Sequence, residues 1–283
     1  MAQLAPFADL MKRPDVRIDL ARACLLVAED AYPGLEVEKY LAELERMAER
    51  LRGNLSQTAG TERKLVALNE FLFEELGYAG NAGDFYDPRN SYLNEVIDRR
   101  TGIPLTLSVV YMELGRRIGL PLQGVSFPGH FLVRLRLRGG MLVLDPFVGG
   151  ALLAEDELRE RLQRVVPESL AGGVPLTQLP LGRFLEPATN RQIVVRLLRN
   201  LKGVYRETDQ PDRLLAVLNR MRVVAPEASA ELRERGLLYQ RLECHRAALA
   251  DLTGYLEREP EAGDAAEIRI RIAELSRLCA RLN

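Results

Sequence analysis

The fold class this chain predicts is α+β followed by a helical repeat, and three observations carry it. Apolar residues recur at three-to-four spacing from the N-terminal region to about residue 78, the mark of amphipathic helices. Three short apolar runs then lie between residues 122 and 144, the middle one alternating with period two as a half-buried strand does. Past residue 188 the chain repeats: Tyr205 and Tyr239, Leu218 and Leu252, and Pro226 and Pro260 are each 34 residues apart. The expected architecture is a mainly helical N-terminal layer and a buried helix packed on a small antiparallel sheet, then a C-terminal α-helical repeat domain.

Length and composition fit that plan. A chain of 283 residues has room for two domains of ordinary size. We expect one over 1–166 with its core at 90–150, a Pro/Gly-rich linker at 167–187, and the repeat domain at 188–283. The 39 basic and 40 acidic residues leave a net charge of −1, so no overall field favours nucleic acid or an anionic membrane. The N-terminus lacks a basic stretch followed by an apolar core, and no apolar run approaches the ~18–20 residues needed to cross a bilayer. The expectation is a cytoplasmic protein that binds neither nucleic acid nor membrane. Cys24, Cys244 and Cys279 are odd in number and lack metal-ligand spacing, so neither a metal nor another cofactor is expected. Cys24, on an apolar helical face, reads as a packed structural thiol.

The elements follow in order. Leu20, Ala23, Cys24, Val27 and Ala31 share one helical face, and Pro33-Gly34 ends it. Val37, Tyr40, Leu41, Leu44, Met47, Ala48 and Leu51 mark a second helix, and Leu65, Leu68, Leu72 and Leu76 a third, closed by Gly77. Residues 79–90 are rich in Gly, Asn and Asp and read as a loop. Asn90 or Ser91 caps the next helix, with Asn94 and Glu95 in its first turn. Pro104 suits the first turn of the following helix, where its missing N–H costs nothing. That helix is apolar on most sides, as a buried central helix must be. Strands are expected at 122–127, 130–137 and 141–144, the last two joined by a turn at Arg138-Gly139-Gly140. A helix is expected from Glu155 to Leu162.

Residues capable of chemistry gather in the central stretch. A cysteine peptidase or transferase sets its thiol at the N-terminus of a buried helix, where the helix dipole and a nearby His lower its pKa. The His takes the proton and an Asp or Asn fixes its tautomer. Here the buried helix starts at Pro104, His130 opens the second strand and Asp145 ends the third. With the hairpin centred between Gly139 and Gly140, the two are offset by four residues, so a bulge or loop would have to bring their side chains together.

The stretch NSYLNEVIDRRTGIPLTLSVVY, with FPGHFLVR and LDPF after it, resembles the core of the transglutaminase-like superfamily. With the repeat behind it, the chain resembles that superfamily's SirB-type bacterial branch. In the repeat Gly236, Tyr239, Ala248, Leu252, Tyr255 and Pro260 fall at tetratricopeptide positions, while Lys202 and Leu214 replace the small residues of the first unit. The resemblance covers roughly residues 20–283 and implies a transglutaminase/papain-like core. It implies a catalytic Cys near the start of the buried helix; counting back from Gly119-Leu120-Pro121 reaches Pro104 instead. His130 and Asp145 match the superfamily's histidine and aspartate, a remnant pair without its nucleophile.

The leading expectation is therefore a non-catalytic protein-binding or regulatory module with a protein or peptide partner. The alternative is a hydrolase or acyl transferase in which His130 and Asp145 activate a hydroxyl, Thr106 or Ser108, or a water. Asn90, Tyr92, Asn94, Asp98, Arg99, Arg100 and Phe127 are the expected binding residues, clustered near the mouth of such a site.

Overall fold

The structure is a computed structural model that describes residues 4–165 and 180–281. In chain order its main elements are α1 (Leu4–Met11), α2 (Leu20–Ala28), α3 (Val37–Gly53), α4 (Thr61–Asn69), β1 (Ala79–Gly80), α5 (Leu93–Arg99), β2 (Thr101–Gly102) and α6 (Pro104–Arg117). Then come β3 (Leu122–Val125), β4 (Leu132–Leu137), β5 (Gly140–Asp145), β6 (Ala151–Leu152), α7 (Glu155–Val165), α8 (Asn190–Glu207), α9 (Pro211–Val224), α10 (Ser229–Arg241), α11 (His245–Arg258) and α12 (Ala265–Arg281). The chain forms two compact units. One spans Lys12–Leu197; the other joins α1 to the chain from Leu198 onward. The sequence-based boundary falls at 187/188, whereas the compact units divide at 197/198, within α8.

The unit Lys12–Leu197 is built around α6. Every residue from Pro104 to Gly115 is buried, because α2, α3, α4 and α5 pack on one side of the helix and β3 and β4 on the other. An all-round apolar helix is stable only when enclosed in this way. The helix expected over Leu65–Leu76 is interrupted. After α4 it continues as a wider π-helical turn, Glu70–Glu75, before Gly77 ends it. The apolar spacing is blind to such a widening because it keeps the buried side chains inward.

The sheet is antiparallel in the order β3-β4-β5-β6. Leu137 pairs with Gly140, so the hairpin turns through only Arg138 and Gly139. This corrects the expected turn centre: His130 and Asp145 are offset by two residues rather than four.

One face of the sheet packs on α6. The other carries a core of Val125, Phe127, Leu132, Val143, Leu158, Leu162, Leu181 and Leu185. Two of these, Leu181 and Leu185, belong to the segment expected as a linker. Its residues 181–185 form a short 3-10 helix held to the sheet, with Arg134 Nη1 donating to the Leu185 carbonyl at 2.6 Å. Residues 166–179 of the expected linker lie outside the described residues. Asp15 accepts the backbone N–H groups of Asn190 and Arg191 at 3.0 and 2.9 Å, satisfying orphan donors at the start of α8.

In the other unit, α10 and α11 form the closest helix pair, with Leu232, Ala248, Leu252, Tyr255, Ile268 and Leu275 as core. At Gly236 an added Cβ would meet Leu252 Cδ2 at 2.8 Å, which is why a small residue is needed there. Lys202, which departs from the small-residue pattern, reaches Glu234 at 2.9 Å instead of packing against a neighbour. α1 lies on α9, where the buried Arg220 guanidinium sits 4.8 Å from the Phe7 ring centre. His245 is the second histidine of the chain. It opens α11 half-buried, with its Nδ1 enclosed and unpaired among the described residues.

Candidate functional site

The site begins at a tight turn. Gly129 has φ +69°, a conformation costly for other residues, and a Cβ there would lie 2.8 Å from Val165. The His130 N–H donates back to the Phe127 carbonyl at 3.0 Å, so the imidazole is set just ahead of β4. Asp145 closes β5 and turns the chain into a 3-10 helix, Pro146–Val148, its Oδ1 accepting the Phe147 N–H at 3.1 Å. Across this arrangement His130 Nε2 stands 3.0 Å from Asp145 Oδ1. From α7, Arg161 Nη1 donates to Asp145 Oδ2 at 2.7 Å.

Asp145 is wholly buried, whereas the His130 side chain keeps 20% of its surface open. Burial by itself would raise the Asp145 pKa. The hydrogen bonds and charges of His130 and Arg161 outweigh burial and hold the carboxyl below its ordinary range. An ionised Asp145 can only accept, so His130 Nε2 is the donor between them.

A line of aromatic rings leads from the surface to this pair. The Phe147 ring meets His130 edge-on at 6.0 Å, Phe85 lies 6.3 Å from Phe147, and Tyr86 lies 5.5 Å from Phe85. Phe85 is 43% exposed and Tyr86 67%. Val148, next in sequence to Phe147, and Val165, beside Gly129, are also exposed. Isolated apolar residues at a surface are ordinary; here the exposed rings stand in a contiguous line beside a His–Asp pair.

At the start of α6, where a nucleophile would stand, Pro104 and Leu105 are buried. Thr106 Oγ1 donates to the Asn90 carbonyl at 2.7 Å and accepts the Ile103 N–H at 3.2 Å. Ser108 Oγ donates to the Pro104 carbonyl at 2.7 Å, one helical turn back. Both hydroxyls are fully enclosed, and neither bonds His130. Cys24 is buried on α2, and burial, with Glu113 and Asp19 nearby, pushes its thiol pKa well up. It is a packed thiol, not a thiolate.

The expected binding residues divide. Phe127 is fully buried in the core behind the sheet, which its aromatic side chain completes, and does not stand with the exposed rings. Asn90 is enclosed and ties its loop together, donating to the Asp84 carbonyl at 2.7 Å and accepting from Asn81 at 3.1 Å. Tyr92 is buried edge-on to Tyr32. Asn94 is buried, and its Oδ1 has no partner among the described residues. Arg99 turns toward Asp87 at 3.8 Å. Asp98 and Arg100 line a separate surface cleft.

Four residues of the site are missing from the sequence reading: Arg161, Phe147, Phe85 and Tyr86. The signal for two of them is local, an adjacent Phe-Tyr pair inside a loop of Gly, Asn and Asp. Nothing in the spacing marks Arg161, which α7 brings in through tertiary packing alone.

A buried helix packed on an antiparallel sheet, with a His–Asp pair at its end, defines a transglutaminase/papain-like core. The model described as "Transglutaminase-like superfamily" matches residues 38–199, and one described as "Tetratricopeptide repeat" matches residues 201–273. The chain belongs to the transglutaminase-like superfamily. It is 42% identical over 262 residues to a UPF0162 protein of Xylella fastidiosa (strain 9a5c), covering 93% of this chain and 92% of that one. Protein SirB1 of Salmonella typhimurium is 29% identical over 231 residues, covering 81% and 82%. A crystal structure of menin covers 96% of this chain and 70% of its own at a TM-score of 0.44 and 11% identity, a likeness too slight to argue from. Among the described residues no helix is long and apolar enough to cross a membrane, and no group of His, Cys, Asp and Glu could hold a metal ion.

Proposed function

We propose that this chain is a non-catalytic transglutaminase-like protein that binds a protein or peptide partner across the His130 face. The line of rings from Tyr86 through Phe85 and Phe147 to His130 carries the reading. Apolar side chains of a partner cover Phe85 and Tyr86, and a polar group of the partner meets His130 Nδ1. Such a pattern, an aromatic anchor beside one oriented polar group, is what recognition surfaces use.

What surrounds the pair supports the non-catalytic reading. Pro104 stands where the thiol belongs, and Thr106 and Ser108 spend their only protons on backbone carbonyls. A hydroxyl so committed must break its hydrogen bond, worth about 0.5–1.5 kcal/mol, before a base could reach it. Tetratricopeptide repeats in general support protein contacts, which suits the same role.

The test is affinity capture from a bacterial lysate with wild type and with Phe85→Ser plus Tyr86→Ser, beside fluorophosphonate labelling of wild type and His130→Ala. Partners held by wild type and lost from the double variant, with no labelling of either protein, are expected. His130-dependent labelling would instead establish the hydrolase or acyl-transferase alternative. Capture unchanged by loss of the two rings would remove the His130 face as the binding surface.

A further inference from the structure

A second site lies away from His130 and shares none of its residues. A cleft of about 250 Å³ opens between α3, the end of the π-helical turn and the C-terminal end of α5. Its wall includes Lys39, Tyr40, Arg46, Tyr78, Asp98 and Arg100. The volume falls just under the ~300–1,000 Å³ of drug-sized sites, which suits a small metabolite rather than a polymer.

The charges in the cleft are unevenly spent. Arg46 is paired with Glu43, and Arg50 with Glu75 at 2.6 Å. Lys39 and Arg100 pair with no carboxylate among the described residues. Arg100 donates through Nη1 to the Leu76 carbonyl at 2.9 Å, which anchors the guanidinium on the cleft wall and leaves its other N–H groups available. Tyr40 donates its hydroxyl to Asp98 Oδ2 at 2.7 Å, so Oδ1 is the oxygen left to accept.

The backbone supplies an independent observation. Arg100 caps α5 with φ 54° and ψ 29°, the left-handed conformation for which glycine is the usual residue. The residue that bears this conformational cost is the one whose guanidinium is anchored on the Leu76 carbonyl at the cleft wall.

We propose that this cleft binds a small organic anion whose phosphate or carboxylate group is held by Lys39 and Arg100, and whose hydroxyl or ammonium group donates to Asp98. The forked guanidinium and the ammonium suit an oxyanion. The carboxylate beside them selects ligands that carry a donor next to their charge and disfavours bare anions.

Isothermal titration of the full chain at low salt with inorganic phosphate, L-phosphoserine and L-malate tests this. Phosphoserine or malate should bind with a Kd below ~1 mM and more tightly than inorganic phosphate, the better of the two showing whether phosphate or carboxylate is preferred. Lys39→Ala and Arg100→Gly should each weaken that binding by roughly tenfold or more. Arg100→Gly relaxes the cap, so circular dichroism should show an intact fold. Asp98→Asn should erase the preference over inorganic phosphate, and Arg136→Ala, on the distant hairpin, should change nothing. Binding by none of the three compounds, or Arg100→Gly binding as wild type does, would overturn the proposal. Equal affinity for all three would remove the role given to Asp98.

Discussion

His130 and Asp145 meet at 3.0 Å although they stand two residues out of register across the β4–β5 hairpin. The Pro128-Gly129 turn swings the imidazole back over the end of β5, and Arg161 closes the far side of the carboxylate. Asp145 thus ties His130 and Arg161 into one three-residue network.

Asp145→Asn removes the charge that both partners read. The amide can present an oxygen to only one of His130 and Arg161, and its NH₂ faces the other donor. Stability should fall by about 2–3 kcal/mol, part of the loss being moderated by the partly exposed Arg161. Urea unfolding of wild type and variant at neutral pH measures it.

The same carboxylate sets a pH dependence. Its folded pKa is depressed, so the stability it contributes is fully present above the unfolded carboxyl value of ~3.9 and is lost as pH falls through the folded value. Urea midpoints from neutral pH down to about pH 3 should therefore show wild type losing its advantage over Asp145→Asn on acidification. A gap that widened toward acid would contradict the direction of the shift.

The thiols should separate by burial. Cys24 is enclosed and its pKa raised, so it should resist a thiol reagent in the folded protein and react only on unfolding. Cys244 is exposed and should react first. Mass-spectrometric mapping after brief labelling distinguishes them.

Gly236→Ala should destabilise the repeat unit. The new methyl meets Leu252 at 2.8 Å and Asp251 Cβ at 3.1 Å, in the closest helix pair of that unit. Overpacking of this kind costs about 1–3 kcal/mol, seen as a lower Tm. An unchanged Tm would mean that α10 and α11 part more easily than their packing suggests.

Much of the architecture was legible because its causes are local. The apolar spacing placed α2, α3, α6 and the strands, since each element must bury one face whatever its partner. Boundaries slipped where hydrogen bonding decides them. β3 stops at Val125, not at residue 127, and β5 starts at Gly140 because the hairpin closes one residue earlier than expected. The stretch 181–185 read as linker because of its Pro and Gly neighbours, yet Leu181 and Leu185 bury themselves behind the sheet.

By itself the sequence determined the fold class, the placing of His130 and Asp145 beside the strands, the absence of a cysteine at the start of α6 and the 34-residue repeat. Tertiary structure alone decided that Phe127 faces the core, that Thr106 and Ser108 are spent on backbone carbonyls, that Arg161 joins Asp145, and that Phe147, Phe85 and Tyr86 line up from His130. Periodicity is written in neighbouring residues, whose buried faces repeat every turn or every second position. The meeting of Phe85 with Phe147, or of Asp145 with Arg161, depends on how separate elements pack, and no local spacing encodes it.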